Sequence, residues 1–236
     1  MDNITLTCKD GLFSLNNIPF CVDAGAISDK LRIPRDGEDF RSLREMASDA
    51  EKTGIPKAIY RVSFPCDRTE DTVTVEGVRL KSRVLSVNLE KAYRIFLYIV
   101  TCGEELEQWS TNYKDPLFAY FADQIKEAAL SSAIKFLYSH VKEKYVITGF
   151  SRMAPGSLKD WPIEEQKPFF EIMGNVKETA GVVLTESFLM RPSKSVSGIL
   201  FPTESTFESC MLCPREKCIG RKAPYDENLF AERYKT

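Results

Sequence analysis

The sequence predicts an α+β fold, a mixed or antiparallel sheet with a long helix packed on it. Three observations predict it. β-type apolar segments recur at Ala58–Phe64, Thr72–Val84 and Ile95–Val100. A helical repeat of apolar residues runs from Asp115-Pro116 to about Val141. The length, 236 residues with 43% hydrophobic, suffices for a core that needs no disulfides.

In chain order, residues 3–22 read as short strands around the turn signals Asp10-Gly11 and Asn16-Asn17. Apolar residues at Phe40, Leu43, Met46, Ala47 and Ala50 predict a helix over Glu38–Lys52, stopped at Gly54. Thr72–Val84 alternates around Glu76-Gly77, as a hairpin does. Leu89–Tyr93 reads as one helical turn before the buried strand Ile95–Val100. Asp115-Pro116 starts the long helix, with Pro near the first position, where its missing N–H costs nothing. Tyr145–Phe150 reads as a strand, Pro155-Gly156 as a turn, and Pro162–Met173 as a helix ended by Gly174. Val182–Leu184 and Val196–Phe201 are β-like.

Three segments are expected, 1–142, 143–205 and 206–236, the last turn-rich and cysteine-bearing, within one integrated domain. A net charge of −2 argues against a phosphate-backbone partner, so no nucleic acid is expected. No apolar run approaches the roughly 18–20 residues that span a bilayer, and no basic-then-apolar leader is visible. A cytoplasmic protein without membrane contact is expected. The single histidine, His140, excludes a site with two His ligands and reads as a solvated helix-terminal residue. Trp109 and Trp161 read as packing residues.

Seven cysteines, an odd number, argue against a disulfide framework. Cys8, Cys21, Cys66 and Cys102 are scattered, whereas Cys210, Cys213 and Cys218 form a C-x2-C-x4-C spacing. Two thiolates three residues apart can face one centre, and a third five residues on closes another side of a tetrahedron. Such soft ligands suit an iron–sulfur cluster of [4Fe–4S] type, or zinc as the alternative. A fourth ligand is not local. Reduced thiols with no metal are the third reading.

The other candidate lies upstream. Arg152-Met-Ala154-Pro-Gly156 sets a guanidinium, able to grip a carboxylate through paired hydrogen bonds, ahead of a tight turn. Downstream runs LTESFLMRPSKSVSG, Leu184–Gly198. This string resembles the strand pair of the activation domain of cobalamin-dependent methionine synthase. Arg152–Gly156 resembles that domain's R-P-A-P-G-Y motif, at a similar distance upstream. Cys102–Trp109 and Asp115–Phe118 are similar to its small stand-alone relatives.

The resemblance implies that Arg152 holds the carboxylate of S-adenosylmethionine, with backbone contacts from Ala154 and Gly156. It implies a corrinoid partner, with the cobalamin presented by that partner. Ser157 and Leu200 stand where the motifs have tyrosines, and Asp160–Ile163 replaces a C-P-x-H stretch. The expected function is accessory: activation or repair of a cobalamin protein, with an iron–sulfur cluster as a possible in-chain electron donor. A corrinoid-binding methyltransferase-like enzyme is the alternative, for which Glu186 is the motif-embedded carboxylate. A non-catalytic docking module with structural zinc is the third.

Overall fold

The computed structural model of the chain describes residues 4–203, 207–218 and 221–235. The junction expected at 205/206 lies outside them. Strands β1 (Thr5–Lys9) and β2 (Leu12–Asn16) form the hairpin announced by Asp10-Gly11. Those two residues take φ of 52° and 75°, a region Gly adopts freely and Asp tolerates. Helix α1 (Ala24–Leu31) follows, capped by Asp23, which accepts from the Ala26 N–H at 2.8 Å. Helix α2 (Glu38–Thr53) buries Leu43, Met46, Ala47 and Ala50, the predicted apolar stripe.

Next come β3 (Lys57–Ser63), the hairpin of β4 (Thr72–Val75) and β5 (Val78–Lys81), and helix α3 (Arg83–Asn88). The helical turn expected at Leu89–Tyr93 thus forms earlier. Ser82 caps it by accepting from the Leu85 N–H at 2.9 Å. Strand β6 (Ile95–Thr101) is buried at all seven positions, which explains its unbroken apolar run. Helix α4 (Glu104–Ser110) was not anticipated by periodicity; it is short, and buries only Leu106 and Trp109.

Helix α5 (Pro116–Tyr145) is the long one. Asp115 accepts from the Leu117 and Phe118 N–H groups at 2.9 and 3.3 Å. The strand expected over Tyr145–Phe150 does not form there. Tyr145 stays helical, its ring 4.8 Å from that of Phe96, and Val146 ends the helix at φ 53°. The strand that follows, β7 (Phe150–Met153), begins where the expected one ended. A 3-10 turn at Ile163–Glu165 leads into α6 (Gln166–Met173), and α7 (Val176–Ala180) follows. The two-residue strands β8 (Val183–Leu184) and β9 (Met190–Arg191) precede β10 (Ser195–Pro202). The chain closes with a 3-10 turn at Ser209–Leu212 and helix α8 (Leu229–Arg233).

Six strands pair antiparallel in the order β1-β2-β3-β6-β10-β7. Alternation along the strands inward of β1, which is exposed throughout, gives the sheet two apolar faces. Ala58, Tyr60, Phe96, Tyr98 and Leu200 pack with the apolar stripes of α2 and α5. Ile59, Leu97, Ile99, Met153 and Ile199 pack with residues of α3, α6 and α7 on the other side. The sheet is therefore the middle layer. The last segment docks on that second face, where Tyr234 is fully buried and donates to Asn88 Oδ1 at 2.9 Å.

Candidate functional site

The two motifs that stood apart in the sequence lie side by side. β7 and β10 are paired, with Leu200 opposite Arg152 and Ile199 opposite Met153. Gly198 lets them close. A Cβ there would stand 2.7 Å from the Met153 carbonyl oxygen and 2.8 Å from Tyr98 Oη, distances no real side chain tolerates.

After Met153 the chain turns sharply. The Ser157 N–H and Oγ–H both donate to the Ala154 carbonyl, at 3.1 and 2.6 Å, and the Gly156 N–H donates to the Trp161 carbonyl at 2.7 Å. Gly156 has φ +83°, and a Cβ would meet Ile163 Cδ1 at 2.7 Å. The backbone groups expected to contact a ligand are thus engaged in holding the turn. Trp161 is fully buried and Trp109 nearly so, as packing residues are.

Arg152 sits at the end of this edge and is half-buried. Its Nη2 donates to Glu208 Oε1 at 3.0 Å and its Nε to Glu208 Oε2 at 3.3 Å, a two-pronged grip. Nη1 reaches Tyr138 Oη at 3.4 Å, and the guanidinium lies 5.7 Å over the Tyr138 ring. Tyr138 Oη in turn pairs with Tyr98 Oη at 3.1 Å. Burial opposes the charge on Arg152, but Tyr138 and Glu208 outweigh it, so its pKa is raised and it stays a cation. Burial also raises the Tyr98 phenol, which is therefore neutral. The partners of Arg152 are accordingly Tyr138 and Glu208. Glu186, the carboxylate the sequence nominated, sits in the exposed turn between β8 and β9.

Beside this edge lies a cavity of about 1060 Å³. One wall is the motif turn and its neighbours, including Gly156, Leu158 and Ile163. The other belongs to the last segment, with Leu212, Tyr225 and Phe230. Cys213 lies on that wall.

The cysteine triplet is less gathered than its spacing suggests. Cys210 and Cys213 are partly buried and Cys218 is exposed. Among the described residues, no three His, Cys, Asp or Glu side chains form a group that could hold a metal ion. A cation of the chain's own organises this loop: Arg221 donates to the carbonyls of Cys210 at 3.0 Å, Cys213 at 3.1 Å, and Arg215. The Lys222 N–H points to Cys210 Sγ at 3.4 Å.

A second polar cluster joins α4, α5 and the start of β10. Glu107 accepts from Lys126 Nζ at 2.9 Å, from Ser193 Oγ at 2.9 Å and from the Ser193 N–H at 3.1 Å. Burial alone would raise the Glu107 pKa, but these donors hold it below the usual carboxylate value. His140, expected to be solvated, is instead partly buried, with Nε2 3.0 Å from Tyr60 Oη. Burial and then Lys144 depress its pKa.

Tyr98, Tyr138 and Glu208 were missed as site residues. Nothing in the sequence sets the two tyrosines apart from other aromatic residues, and a pairing between residues 152 and 208 has no local signal.

The chain is similar to known proteins. The family model described as "Vitamin B12 dependent methionine synthase, activation domain" matches residues 137–216, about a third of the chain. Both motifs and the Tyr138–Arg152–Glu208 group fall inside it. A solved structure, "Crystal Structure of the MetH Reactivation Domain bound to AdoHcy", superposes with a TM-score of 0.56 and 18% identity. That match covers 84% of this chain and 81% of the other. No curated protein matches. The resemblance read from the two motifs is therefore confirmed, and so is the α+β fold with its antiparallel sheet and long helix. No helix among the described residues is long and apolar enough to cross a membrane.

Proposed function

From a chain that shares the fold of a methionine synthase reactivation domain and matches the activation-domain family over residues 137–216, we propose a protein that reactivates a cobalamin enzyme. In this reading it binds S-adenosylmethionine at the β7–β10 edge and offers it to the corrinoid of a partner protein. The methyl group passes from the sulfonium to the partner's corrinoid, once an electron donor has reduced that corrinoid, and S-adenosylhomocysteine is released.

One observation carries the proposal. The fold pairs β7 with β10, so the two family motifs meet where Gly198 packs on Met153, next to Arg152. Arg152 is cationic over the whole working pH range and presents a flat, two-pronged donor face, suited to a ligand carboxylate. Tyr138 and Glu208 fix where that face points. A cavity with room for a nucleoside-sized group lies beyond the turn at Gly156, lined by Leu158 and Ile163 and not by Arg152 itself. Ser157 and Leu200 supply less aromatic surface than the tyrosines of the family motif, so weaker ligand stacking is expected.

The electron is assigned to an external donor. A cluster on Cys210, Cys213 and Cys218 would place that donor within the chain, and the iron, zinc and sulfide content of protein purified without oxygen decides between the two.

Calorimetric titration with S-adenosylmethionine and S-adenosylhomocysteine tests the site. Both ligands are expected to bind the wild type and not Arg152→Ala. Equal binding by the two proteins would remove Arg152 from the site, and no binding by either would remove the proposal.

A further inference from the structure

The contact between Arg152 and Glu208 is more than a surface ion pair. Both side chains are 23% exposed, and the carboxylate is held by Nε and Nη2 together. This is the side-on grip a guanidinium offers to the carboxylate of an amino-acid ligand. The remaining nitrogen, Nη1, faces Tyr138. Arg152 therefore has no second face free for another carboxylate.

We propose that Glu208 holds the place of a ligand carboxylate on Arg152, so that a carboxylate-bearing ligand enters by displacing Glu208 and the segment that carries it. The inference rests on the reading of Arg152 as the carboxylate holder and adds the determinant of access to it. Exchange of one carboxylate for another leaves the guanidinium paired before and after, which avoids the penalty of a half-buried, unpaired cation.

What moves with Glu208 is defined by its tethers. The Phe207 N–H donates to Ser151 Oγ at 2.6 Å, and the Met211 N–H donates to the Glu208 carbonyl at 2.9 Å. Cys210 and Cys213 follow within the same turn, and Leu212 and Cys213 line the cavity. Displacing Glu208 thus loosens one wall of that cavity and exposes two thiols that are now partly buried. Ligand occupancy is thereby coupled to the accessibility of the cysteine-bearing segment.

The test uses S-adenosylhomocysteine as probe, with the wild type, Glu208→Gln and Arg152→Ala. Gln keeps the shape of Glu208 and removes its charge. Glu208→Gln is expected to bind the probe about tenfold more tightly than the wild type, and Arg152→Ala not at all. Maleimide labelling, which needs no variant, is the second reading: saturating probe is expected to accelerate modification of Cys210 and Cys213 in the wild type several-fold. Equal affinity of wild type and Glu208→Gln, with Arg152→Ala inactive, would overturn the displacement and leave the site standing. Unchanged labelling in probe-saturated wild type would overturn it too. Absence of binding in both wild type and Glu208→Gln would overturn the site itself and this inference with it.

Discussion

Lys126, on the long helix α5, and Glu107, on α4, stand 2.9 Å apart, and the Lys126 side chain is only 9% exposed. Glu107 also holds Ser193 by its N–H and its hydroxyl, and so pins the chain just ahead of β10. Removing the ammonium leaves a partly buried carboxylate without its main partner. Lys126→Met is expected to cost about 3 kcal/mol of unfolding free energy, the low end for a broken buried pair because Glu107 remains partly open to water. Urea denaturation measures it.

The same pair sets a pH dependence. Glu107 has a folded-state pKa below its unfolded value, so its stabilisation is present above the unfolded pKa and lost as pH falls through the folded one. His140 acts in the same direction at higher pH. Its folded pKa is depressed, so the unfolded chain binds the proton first and stability declines as pH drops below about 6.5. Melting temperature is expected to fall between pH 7 and 5 in the wild type and to stay flatter in His140→Gln. Identical slopes would show that the burial of His140 beside Lys144 does not discriminate its protonation states.

Cys102 is fully buried, and burial pushes its thiol up to about 12. At pH 8 only about one such thiol in ten thousand is ionised. Iodoacetamide is expected to modify the exposed Cys8, Cys66 and Cys218 first, Cys21 later because Glu51 raises its thiol, and to spare Cys102 until the protein unfolds. Peptide mapping reads the order of modification.

Gly198→Ala is expected to destabilise by about 2–3 kcal/mol, because the new methyl would meet the Met153 carbonyl and the Tyr98 hydroxyl group at once. The damage falls on the β7–β10 pairing, so S-adenosylhomocysteine binding is expected to weaken as well. A stability loss with unchanged binding would separate the site from that pairing.

Arg221 joins the carbonyls of Cys210, Cys213 and Arg215, and Arg221→Ala is expected to raise the rate of tryptic cleavage after Arg215 and Lys217 several-fold. Chelation of the wild type provides the contrast. If Arg221 organises the loop, the cleavage pattern survives a strong chelator; if a metal does, the pattern shifts to that of the variant.

The long helix, the β1–β2 hairpin and the buried strand β6 were legible because each depends on local chemistry: a proline-led cap, a turn dipeptide, an unbroken apolar run. Helices α1, α4 and α7 were not. With eight, seven and five residues they carry too few apolar positions to show a period, and caps such as Asp23 and Asn175 resemble any loop residue. The strand misplaced onto Tyr145 shows another limit. An aromatic, β-branched stretch favours strand locally, yet the packing of Tyr145 on Phe96 extends the helix. At the candidate site, Arg152 stood out in the sequence through its motif. Glu208 did not, since only the folded chain brings the two together. The cysteine spacing was the loudest local signal, and it is the one the described side chains gather least.

Among the described residues β7 is the last strand of the sheet, with no strand beside one of its flanks. The bridge between Arg152 and Glu208 runs parallel to it and, with the Phe207–Ser151 contact, covers part of that flank. Bare strand edges invite pairing with other chains. The segment that fills the guanidinium is thus also a selvage for the sheet. A ligand that lifted it would bare a short stretch of hydrogen-bonding backbone, open to another polypeptide or to the segment's own return.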